Sequence, residues 1–137
     1  MRHQEATTTV ALPVARVERF VADVEQWPRF VEGLDSVRRS AHERYVFCVH
    51  DGRDRRESVV VVRRDAAHHT VTWRSLEGPE FSGCIALAAV DDGHTRVRLE
   101  LRRHPGTFLA GLAEMVLPRT DRATHDLEAL EAALAAR

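Results

Sequence analysis

Apolar residues recur along this chain with two different periods, and the change from one to the other marks out its elements. Thr7–Leu12 is β-branched and apolar enough for a first strand; Pro13 ends it and suits the opening turn of a helix. Val14, Val17, Phe20, Val21 and Val24 recur at helical spacing, which predicts an amphipathic helix over 14–24. Pro28 is read as opening a second, shorter helix with Phe30, Val31 and Leu34 on one side and Trp27 at the junction.

Runs with the period of a strand follow at Asp35–Ser40, Tyr45–Asp51, Glu57–Arg64, Thr70–Leu76, Glu80–Val90 and Thr95–Arg103. Asp51-Gly52, Glu77-Gly78-Pro79 and Asp91-Asp92-Gly93 separate several of them as tight turns. Strands joined so closely pair antiparallel, because parallel neighbours need long crossovers. The alternation is clearest where Val97, Leu99 and Leu101 face Arg96, Arg98, Glu100 and Arg102 across one strand. That strand buries one face and wets the other.

Past Pro105-Gly106 a helical stripe runs to the C-terminus through Leu109, Leu112, Val116, Thr120, Ala123, Leu127, Leu130 and Leu134. Pro118 is expected to kink or break that helix. No repeat, linker or low-complexity segment appears, so residues 1–137 are read as one α+β domain.

Composition narrows the function classes. The 137 residues carry a formal net charge of -1, which gives no general reason to expect nucleic acid or an anionic membrane as partner. No apolar run approaches a membrane span, and the N-terminal residues lack a signal-peptide core, so a cytoplasmic protein is expected. Cys48 and Cys84 lie far apart in strand-like segments and read as two buried free thiols. The 8 histidines show no HExxH and no paired pattern with cysteine, so no metal is expected, and no nucleotide fingerprint occurs. His50, His104 and His125 are isolated in sequence, and any of them could act as an acid or base near neutral pH. Arg53, Arg55 and Arg56, interleaved with Asp54 and Glu57, read as a solvated hairpin tip.

An opening strand, two short helices, an antiparallel meander and one long final helix form an unusual order. Together with the stretches ALPVARVERFVADVEQWPRFVEGLDSV, VTWRSLEGPEFSG, TRVRLELRRHPG and DLEAL, it resembles the START-like (SRPBCC) superfamily, in particular its bacterial polyketide cyclase/dehydrase branch. The resemblance implies a helix-grip fold, a curved antiparallel sheet around the long C-terminal helix with a ligand cavity between. It implies a hydrophobic small molecule as partner, no cofactor, and a monomer or homodimer. Three functions then compete: cofactor-independent cyclisation or dehydration of a polyketide-type intermediate; non-catalytic carriage or sensing of a lipid, quinone or other apolar ligand; and, with the least support, a protein–protein adaptor.

The expected cavity wall draws on Val60 and Val62, on Phe81, Gly83, Ile85 and Leu87, and on Leu99 beside its strand neighbours Val97 and Leu101. Gly83 either leaves room for ligand or permits a bulge. Val31, Leu34 and Trp27 would close one end; Trp27 either stacks on a planar ligand or packs the helix junction. Tyr45 and Phe47 either line the cavity or fill the core. From the final helix Leu112 and Val116 would contribute apolar wall. Arg119 and Thr120 either point into the cavity or turn out to solvent at the kink. For Arg74 the two lines of reasoning part. The resemblance places it where related aromatase/cyclases hold a ligand oxygen, a catalytic position, while strand alternation turns Val71 and Trp73 inward and Arg74 outward. A second arginine of those enzymes would fall on Glu57–Arg64, where the gapless placement gives Val62, with Arg63 and Arg64 facing away or at the strand end.

Overall fold

The computed structural model describes residues 2–31, 33–51, 54–78, 80–103 and 122–135. Strand β1 (Arg2–Val10) leads into helix α1 (Val14–Ala22), a 3-10 helix (Val24–Arg29), and strands β2 (Leu34–Ala41), β3 (Arg44–Asp51), β4 (Asp54–Asp65), β5 (Thr70–Glu77), β6 (Phe81–Asp91) and β7 (His94–Arg103); helix α2 (Arg122–Ala135) closes the described chain. The sheet runs β1-β7-β6-β5-β4-β3-β2, antiparallel at every pair. Only β1 leaves sequence order, pairing from Arg2↔Arg103 to Val10↔Thr95. Helix α2 lies against β1 and β7, α1 against β6 and β7, and the 3-10 helix against β2. This is the helix-grip arrangement.

Side-chain alternation sets the two faces of the sheet. Val97, Leu99 and Leu101 are buried, as are Val60 and Val62 on β4, Val71 and Trp73 on β5, and Phe81, Ile85 and Leu87 on β6. Leu127, Leu130 and Leu134 of α2 close over this concave face. Helix α1 starts without a side-chain cap; the Pro13 carbonyl accepts from the Arg16 and Val17 amides instead. It turns Val17, Phe20 and Val21 into the core.

Several boundaries differ from the sequence expectation: helix α1 ends at Ala22 rather than Val24, and β4 begins at Asp54 rather than Glu57. The first strand covers 2–10 rather than 7–12, because β1 carries polar side chains on both faces and its pairing with β7, not its own alternation, holds it extended. Pro28 opens no second helix: it lies inside the 3-10 helix, which ends at Arg29 with Phe30 as its C-cap. Phe30 and Val31 both donate their amides to the Trp27 carbonyl, so a tight turn rather than a helix carries them to the core. Gly33, at φ 84°, then reverses the chain into β2 and accepts the His50 amide at 2.9 Å. The cysteines are free and only half-buried, on the outer face, because Phe47 and Val49, and Gly83 and Ile85, take the inward positions beside them. No helix among the described residues is long and apolar enough to cross a membrane.

Candidate functional site

The concave face encloses an apolar cavity of about 50 Å3. The 3-10 helix and its exit supply Trp27, Phe30, Val31 and Leu34 to its wall; β3 supplies Phe47 and Val49, β5 Trp73, β6 Phe81, Ser82 and Ile85, β7 Leu99 and Leu101, and α2 Asp126. That volume is well below the roughly 300–1,000 Å3 usual for ligand pockets, the size the sequence reading anticipated.

Aromatic rings fill much of the space beside the cavity. Trp27 meets Trp73 edge-on with centroids 4.8 Å apart, and Phe47 edge-on at 6.0 Å. Phe47 in turn stacks on Phe81 at 6.2 Å. Trp27 thus both packs the helix junction and lines the cavity. Its indole N–H donates to the Val21 carbonyl at 2.9 Å, which ties the 3-10 helix to the end of α1 and satisfies a buried donor. Leu112, Val116, Arg119 and Thr120, expected on the remaining wall, lie outside the described residues, as do His104 and the side chain of His125.

Gly83 faces inward, yet neither reason anticipated for it holds. A Cβ there would sit 2.2 Å from the Trp73 ring, so the indole of its cross-strand partner fills the space. The β5–β6 ladder is in unbroken register through Trp73↔Gly83, with no bulge.

Arg74 points away from the cavity. It is exposed on the convex face between Val61 of β4 and Ser82 of β6, and Val71 and Trp73 take the inward positions. The pocket placement implied by resemblance is corrected by strand periodicity, since two apolar neighbours outweigh one guanidinium in choosing the buried face. Val62 is buried, Arg63 is exposed on the outer face, and Arg64 at the strand end reaches Glu18 of α1 at 3.2 Å. Val60, Val62 and Leu87 belong to the core without bordering the cavity, and Tyr45, half-buried, packs against that core.

The one charged side chain on the cavity wall among the described residues is Asp126, which is 2 % exposed. The sequence reading passed over it, although a signal existed: Asp126 lies one turn from Ala123 and Leu130, inside the apolar stripe of the final helix. Burying an acid there costs free energy that an interacting partner offsets, and Asp126 is not without one. Gln4, on the inward face of β1 opposite Leu101, has a buried Oε1 with no hydrogen-bond partner among the described residues.

On the outer face the fold assembles groups that sequence spacing keeps apart. His3 and Glu5 of β1 and Glu100 of β7 bring ligand-type atoms within 4.8 Å of one another, which could hold a metal ion. Guanidiniums already hold these carboxylates, however, with Arg102 2.8 Å and Arg98 3.3 Å from Glu100, and Arg98 3.5 Å from Glu5. His50 is also on the outer face, against Asp35 of β2, and so is no cavity acid or base.

The profile of the family described as "Polyketide cyclase / dehydrase and lipid transport" matches residues 1–134. No curated protein sequence matches the chain. Among solved structures, the Zhui aromatase/cyclase from Streptomyces sp. R1128 superposes with a TM-score of 0.76 at 19% identity, covering 99% of this chain and 94% of that one. A START superfamily protein from Mycobacterium smegmatis gives 0.73 at 15% identity over 98% of this chain and 97% of its own. The di-domain aromatase/cyclase BexL from the BE-7585A biosynthetic pathway gives 0.71 at 23% identity, over 96% of this chain but 46% of that longer one. At these identities the likeness speaks for the fold.

Proposed function

The chain belongs to the polyketide cyclase/dehydrase and lipid transport family, and from that premise we propose that it binds a hydrophobic, polyketide-type small molecule against its concave face, the aromatic rings moving aside to enlarge the cavity of about 50 Å3, and promotes cyclisation or dehydration there. The observation that carries the reading is Asp126, a buried carboxylate in a wall whose other described residues, Ser82 apart, are rings and aliphatic side chains. A carrier of purely apolar ligands has no use for a charge in that position, whereas ring closure has two.

As carboxylate, Asp126 takes the proton from a methylene carbon flanked by two carbonyls. The enolate carbon then bonds to a carbonyl carbon further along the same chain, and the alkoxide so formed takes the proton from Asp126. The carboxylate next removes the remaining proton of that methylene carbon, whose electron pair forms the C=C bond as the hydroxyl leaves, taking the proton back from Asp126 to depart as water. Exclusion of water by Trp27, Trp73 and Phe47 keeps the substrate folded and the proton local. The wall described has no arginine to hold the developing oxyanion, so proton transfer and shape carry the catalysis.

The test is Asp126→Asn, which keeps shape and removes the proton carrier. With a linear poly-β-ketone thioester mimic, binding read from quenching of Trp27 and Trp73 fluorescence is expected to persist. Formation of the aromatic product is expected to fall at least about a hundredfold, the low end of what a positioned general acid–base group contributes. A second reading, carriage of an apolar ligand without chemistry, is favoured by Val62 and by the outward Arg74. It prevails if the wild-type protein binds the mimic and leaves it linear. Absence of any binding refutes both.

A further inference from the structure

On the convex face, opposite the cavity, the middle of the sheet carries a groove of about 320 Å3. Its outer positions follow from the ladder register: Arg63 stands opposite Thr72, Thr72 opposite Cys84, Arg74 opposite Ser82, and Ser82 opposite Arg102. Short side chains therefore floor the groove, and three long guanidinium-bearing ones rim it. A second depression of about 470 Å3 shares Arg74, Ser82 and Arg102 and continues past Phe81 and Ser75 to the β5–β6 turn.

Charge in this groove is unbalanced. Glu100 at one side is held by Arg102 at 2.8 Å and by Arg98 at 3.3 Å from beyond the groove. Glu80 stands at the far end of the second depression. Arg63 and Arg74, diagonal neighbours on adjacent strands, have no ion pair or hydrogen bond among the described residues. Like charges in such positions repel, and no carboxylate lies between them. Burial and then the nearby Glu100 raise the Cys84 thiol above its ordinary value, so the floor contributes no negative charge near neutral pH.

We propose that this groove is a binding site for a small oxyanion, the phosphate or carboxylate group of a small molecule, held by Arg74 and Arg63 with Arg102 at the rim and the Thr72 and Ser82 hydroxyls beneath. The planar guanidinium fork matches such oxyanions, which is why arginine rather than a point charge suits the task. The site does not depend on any chemistry in the cavity. Phe81 and Ser82 border both the cavity and the outer depression. The anion is thus either free or the head of an amphiphile whose apolar part lies toward Phe81.

Calorimetric titration of the full chain at low ionic strength tests this, with inorganic phosphate, acetate and octanoate as probes. Saturable binding of phosphate or acetate is expected, weakening as salt is raised. Arg74→Gln and Arg63→Gln should each weaken it about tenfold, the lower end of what a hydrogen bond to a charged group contributes. Arg96→Gln, on the same face of β7 but outside the groove, should leave it unchanged; thermal unfolding confirms that each variant folds. Octanoate binding tighter than acetate identifies an amphiphile's head group, and equal affinity identifies a free anion. No saturable binding, or the same loss from Arg96→Gln, overturns the proposal.

Discussion

At Gly83 the sheet gives up a side chain, and the indole of the cross-strand Trp73 takes the place where it would have been. Gly83→Ala should destabilise the fold by about 1–3 kcal/mol, as overpacking does, because a rigid ring rather than a flexible chain end must move. Adding Trp73→Phe to that variant should recover part of the loss, since the smaller ring retreats from the new methyl group. Denaturant unfolding of both single variants and the double variant measures the coupling; additive effects would mean that the contact is not what excludes alanine. Single positions show how far the sequence could be read. The inward face of β6 was legible from alternation, so Gly83 was placed correctly. The reason for it was not, because a cross-strand partner exists only once register is fixed. Arg74 shows the converse: local periodicity had the right face, and likeness to distant enzymes had the wrong one. Asp126 was legible as a break in an apolar stripe and was overlooked beside Arg119 and Thr120.

Between elements, Glu18 makes a polar contact that joins three parts of the fold. From the buried side of α1 it accepts from Arg64 of β4 at 3.2 Å and pairs with the His69 ring at 3.0 Å, where His69 sits at φ 51° in the β4–β5 turn. The helix is thereby tied to a hairpin that it does not adjoin in sequence. Burial pushes the Glu18 carboxyl up, but the hydrogen bonds and charges of His69 and Arg64 together outweigh it and leave the group below its ordinary 4.5. A lowered folded value means stability that is present above pH 4.5 and lost as pH falls through the folded value. Glu18→Gln should therefore cost about 1 kcal/mol at neutral pH, the size of a hydrogen bond to a half-exposed partner. The gap between variant and wild type should close below pH 4.5. Denaturant midpoints measured from pH 7 to 3 check this, and a gap that stays constant would place the effect in packing rather than in charge. Nothing in the sequence pointed to this contact, because Glu18, Arg64 and His69 each read as ordinary surface polar residues until the fold brings them together.

For the molecule as a whole, element order was legible because turn signals and alternation repeat so regularly. The interior was not, because cavity volume depends on how rings settle against one another, and composition says nothing of that. The same architecture has a kinetic consequence. Strand β1 has β7 as its partner in the sheet, at residues 95–103, and is covered by α2, where Thr8 donates to Glu131. Strand β1 thus finds its place only after residues 95–103 exist. β2 through β7, by contrast, can zip up as successive hairpins. Loop-closure entropy makes such a contact slow to form and late, so refolding is expected on the millisecond-to-second scale of high-contact-order domains. Trp27 and Trp73, both buried, provide the fluorescence signal for stopped-flow measurement. A mild lesion in β1, Ala6→Gly, should then speed unfolding and leave the refolding rate almost untouched. If refolding instead slows by the full loss in stability, the pairing of β1 with β7 is the nucleating event rather than the last one.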